Sequence, residues 1–510
     1  MLSRSNKRLL FRVVILTALL SLVVILPGLN LEIALIPSYV TIKYNANTRV
    51  NQFDNGTLYV QVLRNDGTLE TVYESMDADE TINFAIGLAG SVFICYSGSD
   101  YEIDSTINMK TNVTVVLDTN VHLKQTNAAA KAVKFNSVKN AHLLGLGNAV
   151  ISGQGIELNY AYECSVEDIE IRGSPNSWLY VHNSDDNVLE NLYGHDWEDF
   201  HGILLENATG NKIADVISDG EHGPQTRSAL VIGGSEGPSY NNQIVGGKFM
   251  GSHLDNAIYL GGWEYPVENN TLAGFIASGC QASGHAGIKL RPSSYNTITG
   301  FIVEDCYNGI EIGTTYDGES GYGSSIGNIF EGVIRDSINT GLILNIDGEG
   351  LSISKNTFTL TIQGSGKSGV WVSHDKTTST IEHNQFNLVS YENYDDGVEI
   401  EINTAARVTQ NYFKAVCTDN GGYGVNLHGS QASYIMDNRF DLVVENNILG
   451  DVQDEGLRTR MNGFGKEAAG AGNPPTASLW DVGDIVENTD DNAIWVKTYD
   501  EIMVKISGVP

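Results

Sequence analysis

Two ladders advance in step through the middle of this chain and restrict its fold more than any other feature. A small residue stands second in each of "HGILL", "SALVI", "NAIYL", "AGIKL", "NGIEI", "TGLIL", "SGVWV", "DGVEI" and "YGVNL", at Gly202, Ala229, Ala257, Gly287, Gly309, Gly341, Gly369, Gly397 and Gly424. Asparagines keep pace at Asn211, Asn242, Asn270, Asn296, Asn328, Asn356, Asn384, Asn411 and Asn438. Successive small residues lie 22–32 positions apart. Between these marks the segments are short, alternating and β-branched, with no sustained helical period. A unit of this size cannot bury its apolar face alone. Stacking it on the next unit does so, and the product is a solenoid. One strand after the small residue and another after the asparagine give a coil of parallel strands. The asparagine is expected to take the left-handed conformation of a tight turn and to stack its amide from coil to coil. A leucine-rich solenoid is excluded, because its leucine consensus and helix are absent.

The "GI-x-L … N-T-I" pattern resembles the right-handed parallel β-helix repeats of the pectin-lyase-like superfamily. Residues 77–118 are similar to the opening segment of those proteins, where a short amphipathic helix caps the first coil. In that helix Ile82, Phe84, Ala85 and Ile86 would face the core, and "GSDYEI" would start the coils through Tyr101 and Ile103. The resemblance spans roughly residues 77–450 and implies an all-β fold. It does not choose a function, because the superfamily hosts lyases, hydrolases, epimerases, adhesins and viral spikes.

The ends read differently. Residues 1–36 combine a basic start (Arg4, Lys7, Arg8, Arg12) with an apolar run from Val13 to Leu26, as a signal peptide or membrane anchor does. Either places the rest of the chain outside the cytoplasm and confines membrane contact to this segment. Residues 37–76 read as a short β lead-in, 77–462 as the β-helix, 463–478 as a linker, and 479–510 as a small β module built on Trp480 and Trp495. Thirty basic against 62 acidic residues, a net charge of −32, exclude a nucleic-acid backbone as partner. The acid excess fits a soluble surface, a salty habitat or divalent cations. Cys280 and Cys306 each follow a ladder asparagine by ten residues. They are therefore expected on adjacent coils, as a disulfide or as a buried thiol ladder.

Side chains alternate along a strand. Counted from the small residue, positions +1 and +3 point inward and +2 and +4 outward. The +2 ladder then reads Leu204, Val231, Tyr259, Lys289, Glu311, Ile343, Trp371, Glu399, Asn426, and Arg291 stands at +4 beside Lys289. Both cations are expected to face solvent. Two positions before the small residue a second ladder runs Arg227, Asp255, His285, Tyr307, with His201, Asp199 and Trp263 near it. The later coils read as blander. Such a patch suits an acidic sugar. In β-elimination a base takes the proton α to a uronate carboxylate, a cation stabilises the enolate, and an acid assists the leaving oxygen.

The resemblance implies Lys289 as base, Arg291 as carboxylate clamp, Glu311 as modulator, and calcium as a cofactor that acidic side chains would hold. His285 with Asp255 is an alternative base or acid, with Tyr307 as proton donor. Arg227, Tyr259, His201, Asp199, Trp263 and Trp371 are the candidate substrate contacts. In a hydrolase, Asp199, Asp255 and Glu311 would do the acid–base work. The non-catalytic alternative is a surface adhesin, spike or envelope protein that binds glycan or assembles, for example as a trimer. There Lys289 and Arg291 are surface charges, and Asp255–His285 is a structural contact between coils.

Overall fold

The computed structural model describes residues 47–510, apart from residues 54, 65, 89, 199, 221–226, 252–253, 262–263, 314–322, 347–348, 375–377, 431–433, 456–458, 462–463, 468–474, 476–484, 489–492, 498–502 and 509–510. The N-terminal segment 1–36, Asp199, Trp263 and Trp480 thus lie outside the described residues. The chain is an all-β right-handed parallel β-helix of about 12 turns.

Three antiparallel strands, Thr48–Gln52, Leu58–Leu63 and Leu69–Ser75, come first. The first of them also pairs in parallel with Ser91–Ile94, so this lead-in joins the edge of the first coil. Helix α1 (Ala78–Leu88) lies between. The Asp77 carboxylate accepts the Glu80 N–H at 3.0 Å and caps it. Ile82, Ala85 and Ile86 are buried under α1. Phe84 is only half-buried; its ring stacks on Tyr73 at 4.2 Å at the rim of the core. Among the described residues the coils supply a 28-stranded, a 16-stranded and a 5-stranded sheet.

The 16-stranded sheet holds the strands that follow the small residues. Its inward ladder, Ile203, Leu230, Ile258, Ile288, Ile310, Leu342, Val370, Val398 and Val425, pairs residue on residue from coil to coil. The reason for a small residue at its start is steric. A Cβ on Gly287, Gly309 or Gly341 would overlap the side chain of Val303, Ile334 or Ile362, each on a strand of the opposing 28-stranded sheet.

The asparagine ladder forms, with a change of role. From Asn187 to Asn438 each side-chain amide donates to the next asparagine's Oδ1 at 2.8–3.1 Å. The residue with positive φ is the one before it, as at Asp186, Asn241, Asn269, Tyr295, Lys355, His383, Gln410 and Asp437. The preceding residue makes the turn, so the asparagine is free to point its amide inward along the stack. Two residues further on, Phe330, Phe358, Phe386, Phe413 and Phe440 stack with centroids 4.2–5.2 Å apart. Cys280 and Cys306 are buried and unbridged, so the thiol ladder replaces the disulfide.

At the C-terminal end, strands Ile485–Asn488, Ala493–Lys497 and Met503–Gly508 are antiparallel, and Trp495 packs with Val486 and Met503. Phe464–Glu467 is a strand, parallel to Ile485–Asn488. Among the described residues no helix is long and apolar enough to cross a membrane.

Candidate functional site

The outer face of the 16-stranded sheet displays the +2 ladder in the expected order, with Tyr259 opposite Lys289, Lys289 opposite Glu311 and Trp371 opposite Glu399. Direction and exposure part company here. Leu204, Val231 and Tyr259 point away from the coil interior yet are buried as a separate apolar cluster, with Tyr180 against it. Tyr259 lies across Gly261, where a Cβ would meet its ring, and is 7 % exposed. It is a packing residue rather than an open platform.

Lys289 and Arg291 are likewise buried, at 3 % and 4 % exposed. The expectation of two solvent-facing cations is therefore corrected. Two cations cannot be withdrawn from water without compensating charge, and among the described residues Glu311 supplies part of it to both. Its Oε1 lies 2.6 Å from the Arg291 guanidinium and 3.4 Å from Lys289 Nζ. Lys289 Nζ also donates to the Gly284 carbonyl at 3.0 Å. Gly313 lacks the Cβ that would overlap the guanidinium, which lets Arg291 lie flat on the next coil.

The second ladder is more open. His285 Nδ1 and Asp255 Oδ1 are 3.4 Å apart, with side chains 27 % and 20 % exposed. Asp255 Oδ1 also accepts the Asn256 backbone N–H at 2.7 Å. Burial pushes the Asp255 pKa up. The His285 contact, the Asn256 N–H and the nearby His201 outweigh that and hold it below the usual carboxylate range. Arg227 is exposed, with its guanidinium 5.6 Å over the Phe200 ring. Tyr307 is half-buried. The structure thus brings Asp255, His285 and His201 into one electrostatic group with Arg227, and it ties Lys289, Arg291 and Glu311 into another.

His201 Nδ1 is sealed from solvent and has no hydrogen-bond partner among the described residues. Burial, helped by the Arg227 charge and opposed by Asp255, lowers its pKa to about 4. The unfolded chain binds a proton here near pH 6.5, and the folded chain only near pH 4. Stability from this residue is complete above pH 6.5 and is lost as pH falls towards 4, by up to about 3 kcal/mol. Urea titrations across that window are expected to show the loss, and His201→Phe to flatten it. An unchanged slope in the variant would refute the assignment.

Two further polar clusters on this face escaped the sequence reading. In one, Glu157 accepts Lys134 at 2.8 Å and His182 Nε2 at 3.1 Å, and Tyr180 stacks on His182 and donates to Glu206 at 2.8 Å. "GIEL" at 155–158 carries the repeat motif and signals this coil; Trp178 at the small position of the next coil hides it. Trp178 fits there because Gly194 has no side chain where the indole lies. In the other, Glu399 holds Ser368 and His428 beside Trp371, so the later coils are not bland.

The family model described as periplasmic copper-binding protein (NosD) matches residues 135–321, and that of the right-handed β-helix region matches residues 256–440. No curated protein matches. Among solved structures, the tailspike protein of E. coli bacteriophage HK620 in complex with pentasaccharide is similar at 11 % identity, covering 81 % of this chain and 80 % of that one, TM-score 0.51. The polygalacturonase from Erwinia carotovora ssp. carotovora has 14 % identity over 60 % of this chain and 91 % of its own, TM-score 0.39. The catalytic unit of a GH87 α-1,3-glucanase from Streptomyces thermodiastaticus has 13 % identity over 65 % and 66 %, TM-score 0.46.

Among the described residues no ligand set suits copper. Among the described residues, the group close enough to share an ion is Asp77, Asp79 and Asp104, outside residues 135–321. Three carboxylates lack the nitrogen or sulfur that copper favours. They suit calcium better, but Asp77 already caps α1 and Asp79 accepts the Ser105 hydroxyl. With about 12 turns in register and two family matches on overlapping coils, the chain is a right-handed parallel β-helix repeat protein.

Proposed function

We propose that this is an exported, glycan-active β-helix protein, and that its reaction is β-elimination on a uronate-containing glycan. The observation that carries this reading is the partly exposed His285–Asp255 pair beside the exposed Arg227. The Asp255 carboxylate lies 3.4 Å from the imidazole Nδ1, close enough to act with it. His285 takes the proton α to the sugar carboxylate. The electron pair forms the carbon–carbon double bond as the bond to the leaving glycosidic oxygen breaks. Tyr307 returns a proton to that oxygen. Arg227 binds the carboxylate and stabilises the charge that develops on it.

Lys289, Arg291 and Glu311 then act as positioning residues: the Lys289 bond to Gly284 fixes the turn that presents His285. Phage tailspike and polysaccharide-hydrolase likenesses, and a family described as periplasmic, are in keeping with a glycan partner outside the cytoplasm.

The test is incubation of the full-length chain with a panel of uronate polysaccharides, following the ultraviolet absorbance of the unsaturated product. Absorbance is expected, with His285→Ala and Asp255→Asn at least 100-fold slower and Arg227→Ala raised in KM. New reducing ends without absorbance would overturn elimination in favour of hydrolysis. Neither signal on any glycan would leave the non-catalytic reading. One observation favours that second reading: on the 28-stranded sheet, Tyr193, Ile217, Val333, Val389, Val416 and Val443 are 36–52 % exposed in one outward column, interrupted by Lys248 and Thr361, and its last three valines suit a contact with a second copy.

A further inference from the structure

Trp371, Glu399, Ser368, His428 and Asn426 form a second assembly on the outer face of the 16-stranded sheet. Strand Val370–His374 lies three strands beyond Ala286–Leu290, about 14 Å along the axis at about 4.8 Å per strand. Trp371 stands in the outward column between Ile343 and Glu399. It is half-buried, so one part of the indole is packed and another meets solvent. Glu399 is fixed at both oxygens: Ser368 Oγ donates to Oε2 at 2.6 Å and His428 Nε2 contacts Oε1 at 3.1 Å. The Glu399 and His428 side chains remain 18 % and 27 % exposed. Asn426, next in the column, donates to Asp396 at 2.8 Å, while its Oδ1 is sealed from water and accepts no hydrogen bond among the described residues.

We propose that this assembly is a carbohydrate-binding subsite for an uncharged sugar, separate from the His285–Asp255 pair. The chemistry of the groups selects the ligand. The face of an indole is electron-rich and attracts the polarised C–H face of a pyranose. A carboxylate pinned by two donors keeps its remaining lone pairs in place for sugar hydroxyls, which are donors, and such charge-assisted bonds are about twice as strong as neutral ones. The assembly has one imidazole, His428, in contact with Glu399, while Asp396 bonds Asn426 and Glu401 stands in register with His428 on the neighbouring strand, so carboxylates outnumber the one basic group. That balance repels a uronate and admits a neutral ring. The site therefore differs in charge preference from the Arg227 end of the same face, and a glycan of mixed composition would span both.

Isothermal titration of the full-length chain with cellohexaose, chitohexaose and hexagalacturonate tests this. At least one of the two neutral hexamers is expected to bind. Trp371→Ala should weaken it at least tenfold, Glu399→Gln several-fold, and Trp371→Phe should restore most of the affinity. His285→Ala should leave it unchanged, so failure of the catalytic reading and failure of this one are separable. Unfolding midpoints of the variants show whether Trp371→Ala still folds, and Glu399→Gln, which keeps the shape, decides the matter if it does not. The proposal is overturned if neither neutral hexamer binds, if binding ignores Trp371 and Glu399, or if only hexagalacturonate binds through Trp371.

Discussion

Glu311→Ala is expected to destabilise the solenoid by about 3–5 kcal/mol, because it removes a carboxylate that two buried cations share. Arg291 and Lys289 are 4 % and 3 % exposed, and Glu311 Oε1 is within 3.4 Å of both. Water cannot replace the carboxylate without opening the covered face. The converse experiment separates a need for pairing from a need for charge. Replacing all three residues together, Lys289→Met, Arg291→Met and Glu311→Leu, removes the three charges of this cluster and keeps apolar volume beside Tyr259 and Ile343. That variant is expected to match or exceed the parent in stability. In a solenoid each coil contacts chiefly its neighbours, so hydrogen exchange at Leu290 and Ile312 should report the Glu311→Ala loss first. A shift in urea midpoint below that of a typical surface substitution, about 0.5 kcal/mol, would show that the three charges do not act as a buried unit.

This triad marks the limit of what the sequence made legible. The fold was readable because its signals are local and repeated: a small residue, an alternating strand and an asparagine, each with a steric or hydrogen-bonding reason. Alternation also gave the outward column correctly, down to Trp371 opposite Glu399. Exposure was not readable, because it depends on what covers the outer face, and neither column nor period encodes that. Lys289, Arg291 and Tyr259 were therefore placed on the right side of the strand and in the wrong solvent. The Asp255–His285 proximity followed from the ladder, since equal offsets from the small residue bring side chains onto adjacent coils. The Glu157 and Glu399 clusters did not follow. In the first, Trp178 breaks the motif. In the second, the bonds run between different offsets, from Ser368 and His428 to Glu399.

Asn328 offers the sharpest test of the ladder that holds the coils in register. Its amide donates to the Ser293 carbonyl and to Asn356 Oδ1, both at 3.0 Å. Its Oδ1 accepts the Asn296 N–H at 3.0 Å and the Asn296 amide at 3.1 Å. Removing it orphans the Asn296 N–H and the Ser293 carbonyl in a fully buried site. At about 1–3 kcal/mol for each unsatisfied group, Asn328→Ala is expected to cost about 2–6 kcal/mol in urea unfolding. Asn328→Asp discriminates further. The carboxylate can still accept from Asn296, but it turns an oxygen towards Ser293 O and Asn356 Oδ1, both acceptors. Burial and those acceptors favour its neutral form, so the pKa of the introduced acid rises in the folded state. The folded chain then binds the extra proton more readily than the unfolded one, and stability is regained as pH falls through that raised value. Asn328→Asp should therefore be as damaging as the alanine variant at pH 7 and partly rescued below pH 5, while Asn328→Ala shows no such recovery. Equal pH behaviour of the two variants would mean that the ladder's direction, amide to carbonyl oxygen along the whole stack, is not what keeps the coils in place.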